Sequence, residues 1–383
     1  MRHTSPILAV LATAAILRLA TGGAKAVAEE PFMGAYVHLP AIAAPSVDEE
    51  TGRRAIVENM KRFKASGLNT VIPFVTTTSG EAYYDSRLIP KKPYSWDPLA
   101  ACVAETRRNG LKIYPTMCVL ACGGDRPAGI LREHPEWALR DSKGQPLGFI
   151  SSGHPEARKW VVSVLQEIAS KYRPDGILLD YCRYPSTSAA LDPVSQARFD
   201  EAHPPARFPR ASKAYREALL AYKRQCLTEL VGQIRQGLRE VNPNLRLVAY
   251  MWGAHELPGT RDWATWVKNG YLDQLNLTGY AFPKQYGDQY LAVLEKRIRD
   301  VTDVLKKIQR PVELTICVGI NTSHGRISSA KDIRDYLQIA KRCGVQGAVF
   351  FTWTYLQPYL DEVKKSGYLQ EFVSGLPPAG ELR

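Results

Sequence analysis

The chain lacks a hydrophobic run long enough to cross a membrane and a block of five or six like charges. A transmembrane helix needs roughly 18 consecutive apolar residues, so no membrane anchor is expected. The formal net charge is +12, but its Lys and Arg residues are spread along the chain. This spread is typical of a solvated surface, with attraction to an acidic polymer as the alternative. Because no known nucleic-acid-binding motif accompanies the charge, we expect no nucleic-acid partner.

Cysteine is scarce, and its seven residues form no metal-binding pattern. Cys118 and Cys122 have CxxxC spacing, and no second pair or histidine cluster accompanies them. We therefore predict no metal site. A chain of 383 residues is also large enough to form a core without a disulfide framework.

The N-terminus has the pattern of a secretory signal peptide. A basic start precedes the apolar segment 7–17, and Ala26-Val27-Ala28 provides small residues for cleavage. We expect residues 1–28 to be a signal peptide, residues 29–375 to form one domain and residues 376–383 to be a flexible tail. The mature protein is then exported to the periplasm or the extracellular space.

Eight short β-rich runs alternate with helical segments along the rest of the chain. The run from Gly176 to Leu179 lies between Pro174 and Pro185, is too short for a helix, and is typical of a parallel strand buried on both faces. The alternation predicts an α/β fold, a single (β/α)8 TIM barrel. The longest loops are expected after strands 3 and 4, on the face where barrels bind ligands.

The predicted strand ends carry side chains that suit a carbohydrate. Aromatic rings stack on the C–H faces of sugars, while amide, imidazole, guanidinium and carboxylate groups bond their hydroxyls. We expect the following residues to bind the substrate: Tyr36, His38, Tyr114, Arg183, Tyr184, Tyr250, Trp252, His255, Asn276, Tyr280 and Trp353.

Two carboxylates are predicted to carry the chemistry, because glycosidases use a pair across a cleft. Asp180 ends the fourth strand, and Arg183 is expected to keep it ionised as a nucleophile, base or charge stabiliser; a structural pair with Arg183 is the alternative. Asp175, at the other end of that strand, is expected to be structural. Glu256, after strand five, is the candidate general acid, with an exposed loop position as the alternative. Asp262 is its rival, but also fits a helix N-cap.

The stretch Asp175-Gly-Ile-Leu-Leu-Asp180-Tyr-Cys-Arg183-Tyr-Pro185 resembles the DGIHLDYxRYP signature of the glycosyl hydrolase-like 10 family. Other stretches resemble family segments in the same order: Leu68-Asn-Thr-Val, Tyr84-Asp-Ser86, Trp96-Asp-Pro-Leu99, Gly153-His-Pro-Glu-Ala-Arg158 and Trp266-Val-Lys-Asn-Gly-Tyr-Leu-Asp-Gln. The chain departs from the family at Tyr181, where many members have an acidic residue, and at Met33, where many have Arg.

The resemblance implies a TIM-barrel hydrolase of glycosidic bonds without a cofactor, with Asp180 and Arg183 at the signature positions. Bacterial members of the family include a peptidoglycan glycan hydrolase. We therefore expect an exported glycoside hydrolase acting on a polysaccharide or oligosaccharide, such as a cell-wall glycan. A catalytically inactive carbohydrate-binding TIM barrel is the alternative, and no oligomeric state is predicted.

Overall fold

A computed structural model of the chain describes residues 30–204, 206–207, 209–254 and 260–376. Within them the strands are β1 (Phe32–Val37), β2 (Thr70–Pro73), β3 (Lys112–Ile113), β4 (Thr116–Cys118), β5 (Ala121–Gly124), β6 (Ala138–Arg140), β7 (Pro146–Ile150), β8 (Gly176–Asp180), β9 (Arg246–Met251), β10 (Gln274–Thr278), β11 (Glu313–Gly319), β12 (Asn321–Thr322), β13 (Gly325–Arg326) and β14 (Gly347–Phe351).

The helices alternate with the strands of the main sheet. They are α1 (Leu39–Ile42), α2 (Glu49–Ala65), α3 (Pro98–Arg108), α4 (Pro155–Tyr172), α5 (Pro193–Ala202), α6 (Lys213–Val241), α7 (Trp263–Lys268), α8 (Pro283–Tyr286), α9 (Tyr290–Lys307), α10 (Ala330–Arg342), α11 (Trp353–Leu356), α12 (Leu360–Lys365) and α13 (Tyr368–Val373). Short 3-10 turns lie at Gly129–Arg132, Pro135–Trp137, Gly287–Gln289 and Gln357–Tyr359.

The main sheet is a curled sheet of nine parallel strands in the order β3-β2-β1-β14-β11-β10-β9-β8-β4. Its two edges, β3 and β4, come from one stretch of chain that is interrupted at Tyr114-Pro115. Proline has no N–H to donate to a ladder, which explains the interruption. Phe74 at the end of β2 bridges to Thr116 of β4. The predicted α/β class is confirmed, and the parallel strands form one curled, half-barrel sheet.

The core lies where the outer helices pack on the sheet. The first four residues of β8 are fully buried, as predicted for a strand covered on both faces. Helix α4 buries Val161, Val164, Leu165 and Ile168, which recur at helical spacing on one face. Burial of each such side chain stabilises the fold by roughly 1.5–3 kcal/mol.

The two long connections predicted as loops both contain regular structure. After β4 the chain forms a small antiparallel sheet in the order β5-β7-β6. After β8 it forms α5, which Asp192 caps by accepting a hydrogen bond from the Ser195 N–H at 2.9 Å. Proline-rich composition concealed this helix, because Pro193 occupies the first helical turn, where proline is tolerated.

Asp175 has the structural role predicted for it. Its Oδ2 accepts a hydrogen bond from the backbone N–H of Ile113 at 2.8 Å, which ties β8 to β3 at the amino-terminal end of the sheet. The predicted signal peptide, residues 1–28, and residues 377–383 of the predicted tail lie outside the described residues. No described helix combines the length and the apolar composition needed to cross a bilayer.

Candidate functional site

A cleft of about 350 Å³ opens at the carboxyl ends of the parallel strands. Seven of the predicted site residues line it: Tyr36, His38, Asp180, Arg183, Tyr250, Trp252 and Tyr280. They come from β1, β8, β9 and β10 and the residues directly after them. The parallel sheet therefore brings together, at one edge, side chains that lie far apart in the sequence.

Asp180 is the last residue of β8, and the next residue turns the chain sharply. Tyr181 has φ of +47°, the left-handed region that a bulky residue adopts only under constraint. This turn lets the Tyr181 N–H donate a 2.7 Å hydrogen bond to Asp180 Oδ1. The strained turn thus fixes one carboxyl oxygen of Asp180 at the wall of the cleft.

Burial is the largest influence on Asp180 and raises the pKa of its carboxyl above the ordinary value. The hydrogen bond from the Tyr181 N–H and the positive charges of Arg261 and Arg183 act in the opposite direction but do not outweigh burial. Arg183 therefore favours the ionised form of Asp180, as predicted for that one interaction, while the net shift of the pKa is upward because burial outweighs it. An upward shift of the pKa is the direction that a general acid requires.

The two arginines are held by other groups beside the cleft. The Arg183 guanidinium lies 5.0 Å from the centre of the Tyr181 ring and donates to the Tyr184 carbonyl at 3.4 Å. Arg261, buried after β9, donates to the Tyr250 carbonyl at 2.6 Å. Sequence reasoning missed Arg261, because only the fold brings it close to the end of β8.

Aromatic rings form the wall next to β1. His38 stacks on Phe74 with ring centres 4.6 Å apart, and Tyr36 stacks on the same Phe74 ring with centres 5.3 Å apart. Burial lowers the pKa of His38, so its imidazole is neutral at pH 7. Asn276 is buried beneath this wall and donates to the Tyr36 hydroxyl at 3.2 Å. Asn276 therefore does not line the cleft, but its hydrogen bond holds Tyr36, which does.

Three other predicted sugar contacts lie away from the cleft. Tyr114 is buried in the core, where its ring fills the space left by Gly176. Tyr184 is buried against Ser152, whose Oγ donates to its hydroxyl at 3.0 Å. Trp353 is buried and its indole N–H donates to an asparagine of α2 at 2.9 Å. All three point into packed layers instead of the open end of the sheet.

Sequence reasoning missed two polar walls of the cleft. Thr76, Thr77 and Thr78 follow β2, and Thr322, Ser323 and His324 belong to the hairpin formed by β12 and β13. The run of three threonines directly after an apolar strand was a usable signal for the first wall. The hairpin strands are two residues long, so no periodicity marks the second wall in the sequence.

His255 and Glu256, three and four positions after Trp252 along the chain, lie outside the described residues. Among the residues of the cleft wall that the structure describes, Asp180 supplies the sole carboxylate. Within the same described ranges, no group of three or more His, Cys, Asp or Glu side chains is placed to hold a metal ion. The described part of the cleft thus offers one acidic group, one guanidinium, two imidazoles and many rings and hydroxyls.

Solved structures of glycosidases share this fold. The PgaB (BpsB) glycoside hydrolase domain from Bordetella bronchiseptica matches with a TM-score of 0.69 and 14% identity, over 87% of this chain and 98% of that one. Alpha-L-fucosidase isoenzyme 2 from Paenibacillus thiaminolyticus matches with a TM-score of 0.62 and 14% identity, over 88% of this chain and 50% of that one.

Sequence comparison finds curated relatives at low identity. Glycosyl hydrolase DigH of Escherichia coli (strain K12) is 21% identical over 283 residues, which cover 62% of this chain and 61% of the relative. Glycosyl hydrolase YngK of Bacillus subtilis (strain 168) is 25% identical over 199 residues, 47% of this chain and 36% of the relative. The family model described as Glycosyl hydrolase-like 10 matches residues 37–333, well over half of the chain. The chain belongs to the Glycosyl hydrolase-like 10 family.

Proposed function

We propose that this protein is an exported glycoside hydrolase that cleaves O-glycosidic bonds in a polysaccharide or cell-wall glycan. The observation that carries the proposal is the carboxyl of Asp180, placed at the end of β8 on an aromatic-lined cleft with its pKa raised by burial. Family membership and the glycosidase fold support a glycosidase-type activity. Export is proposed from the signal-peptide pattern of residues 1–28.

Asp180 acts as the proton donor to the glycosidic oxygen. Its raised pKa keeps more of the carboxyl protonated than a solvated aspartate would be at the same pH. This assignment replaces the nucleophile or base role inferred from the neighbouring Arg183. Glu256 is then the proposed second carboxylate, because glycosidases use two carboxyls on opposite sides of the bond.

The sugar rests on the rings of the cleft. Trp252 and Tyr280 meet almost at right angles, with ring centres 6.0 Å apart, and Tyr250 lies 6.0 Å from Trp252. Such flat apolar faces suit the C–H face of a pyranose, while nearby hydroxyl, imidazole and guanidinium groups bond its hydroxyls. The substrate is therefore a carbohydrate chain, and no cofactor is needed for the hydrolysis of its acetal.

The sheet that presents these groups is proposed to be a closed (β/α)8 barrel. In this interpretation β3 and β4 are two halves of a third strand, broken at Pro115, so that nine segments count as eight strands. The pairing of β3 with β2, of β4 with β8, and the bridge from Phe74 to Thr116 support it. Closure places all eight strand ends around one mouth.

A carbohydrate-binding barrel without catalysis is the second candidate. It is favoured by one observation, that Asp180 is the single carboxylate on the described part of the cleft wall. The two functions are separated by incubating the purified protein with a panel of polysaccharides, including peptidoglycan glycan strands, and measuring new reducing ends. Hydrolysis that is lost in Asp180→Asn and kept in Asp288→Asn, an exposed control, supports the enzyme. Glycan binding without any hydrolysis by the unmodified protein supports the second candidate.

A further inference from the structure

A short hairpin after β11 carries His324 into the cleft. Strands β12 and β13 pair in antiparallel register, with Thr322 opposite Gly325. The Thr322 hydroxyl accepts hydrogen bonds from the N–H groups of His324 at 3.1 Å and Gly325 at 3.3 Å. A side chain at Gly325 would come within 2.7 Å of the Phe282 ring. The hairpin tip is thus pinned by its own hydrogen bonds and by close packing beneath it.

The His324 imidazole completes a group of three rings from three separate elements. Its centre lies 5.1 Å from the Trp252 ring and 5.8 Å from the Tyr280 ring. Trp252 follows β9 and Tyr280 follows β10, and the two are 6.0 Å apart. We name Trp252, Tyr280 and His324 the aromatic corner. All three line the cleft that also holds Asp180.

His324 differs from the other histidine of the cleft in what its ring can offer. His38 lies flat on Phe74, with 9° between the ring planes, so packing occupies its face. His324 is tilted by 60° to Trp252 and is partly exposed to the cleft. Among the described residues, its imidazole has one hydrogen bond, between Nδ1 and the Ser323 hydroxyl at 3.3 Å. The opposite nitrogen, Nε2, has no hydrogen-bond partner among the described residues, and His324 lines the cleft, so this nitrogen is available to a ligand there.

We propose that His324 is a specificity-determining residue, whose imidazole forms a hydrogen bond with a hydroxyl of a pyranose ring stacked at the aromatic corner. The proposal rests on the proposed function and assigns this role to a residue that does not itself transfer a proton to the glycosidic bond. One neutral hydrogen bond contributes about 0.5–1.5 kcal/mol, so its loss should weaken binding about twofold to tenfold.

The test compares three substitutions of His324 with a control elsewhere. His324→Ala removes the ring, His324→Phe keeps a ring without nitrogens, and His324→Asn keeps a polar group without the ring. His134→Ala is the matched control, because His134 stacks on Trp137 at 4.0 Å outside the cleft. On the best substrate of the glycan panel, the Ala and Phe variants should raise KM about twofold to tenfold with kcat unchanged. The Asn variant should recover part of the loss, and the control should match the unmodified protein.

Binding is measured separately, so that the two proposals fail in different ways. Each variant is combined with Asp180→Asn and titrated with chitotetraose and cellotetraose while tryptophan fluorescence is followed. A weaker Kd in His324→Ala supports the proposal even if no glycan is hydrolysed. Unchanged KM and Kd in that variant overturn it, as does a fall in kcat with KM unchanged, which would indicate proton transfer. Absence of binding of both tetrasaccharides to the protein with His324 intact also overturns it.

Discussion

Replacement of Asp180 by Asn should abolish turnover and stabilise the fold at neutral pH. The carboxyl lies on the cleft wall, and burial raises its pKa against the opposing effect of two arginines. In the folded protein the ionised form is therefore less favourable than in the unfolded chain. An amide of nearly the same shape has no charge to desolvate, so it removes this cost together with the acid function.

The magnitudes follow from general acid–base catalysis and from proton linkage. Loss of a general acid reduces kcat by about 10²- to 10⁴-fold, or about 2.7–5.5 kcal/mol in the barrier. At a pH above both pKa values, each unit by which the folded-state pKa exceeds the unfolded-state pKa adds about 1.4 kcal/mol to the stability of Asp180→Asn relative to wild type. Unfolding about 350 residues releases about 0.7 kcal/mol/K of entropy, so one unit raises Tm by about 2 °C.

The pH dependence has a defined sign. Because the folded protein holds this proton more tightly, wild-type stability falls as pH rises from the unfolded pKa, near 4, through the raised folded pKa. The stability gain of Asp180→Asn is therefore fully present above the folded pKa and disappears below about pH 4. Thermal unfolding of both proteins between pH 3.5 and 8, followed by circular dichroism, measures the difference in Tm, and reducing-end release at pH 7 measures turnover.

Two results would refute the reasoning. A Tm difference that is independent of pH would mean that Asp180 has the same pKa in both states. Turnover within a factor of three of wild type would mean that the carboxyl takes no part in proton transfer. Asp288→Asn, at an exposed position, should change neither property and controls for the loss of a negative charge.

Three further predictions concern stability and binding. Burial lowers the pKa of Lys223 from 10.5 to about 8, so the buried ammonium costs stability at neutral pH and its deprotonation should raise wild-type stability by up to about 3 kcal/mol as pH rises from 8 to 10.5. In urea unfolding, wild type should therefore gain stability relative to Lys223→Met over that range, and a stability difference that does not change with pH would contradict the prediction. Gly176→Ala places Cβ 2.2 Å from an aromatic ring and should destabilise the fold by about 1–3 kcal/mol or more, whereas Gly253→Ala, with its nearest neighbour at 3.7 Å, should be nearly neutral in the same thermal assay. Trp353→Phe should lower Tm without weakening tetrasaccharide binding, while Trp252→Phe should weaken binding with little loss of Tm. The opposite pattern would show that Trp353 contacts the ligand in the cleft.

The position of Asp180 could be predicted because a short strand with proline on either side leaves little freedom. Once Gly176 to Leu179 is a buried parallel strand, Asp175 and Asp180 must lie at opposite ends of the sheet. The hydrogen bond that the Ile113 N–H donates to Asp175 confirms the structural role predicted for Asp175. Asp262 was likewise predicted as a possible N-cap, and its carboxyl accepts from the Thr265 N–H at 3.1 Å.

The direction of individual side chains was harder to predict than the strands themselves. Successive side chains of a strand point to opposite faces. An error of one residue in the predicted register therefore assigns a core side chain to the cleft, or a cleft side chain to the core. Tyr114 lies at the break in the third predicted strand and faces the core, and Trp353 starts α11 and turns away from the mouth. Nor could local patterns show that burial would outweigh Arg183 at Asp180, because desolvation depends on groups contributed by several strands.

The pairing of the first strand with the last has a consequence for how the chain folds. Phe32 of β1 lies opposite Gly347 of β14, and β14 also pairs with β11. The stretch of chain that separates these partners must be synthesised before β1 acquires its second neighbour, and closing so large a loop slows folding. A chain that stops before β14 leaves β1 and β11 as unpaired edges open to other chains. Synthesis through β14 is therefore a condition for completing the main sheet, and nascent or truncated chains that lack β14 are the species most exposed to aggregation.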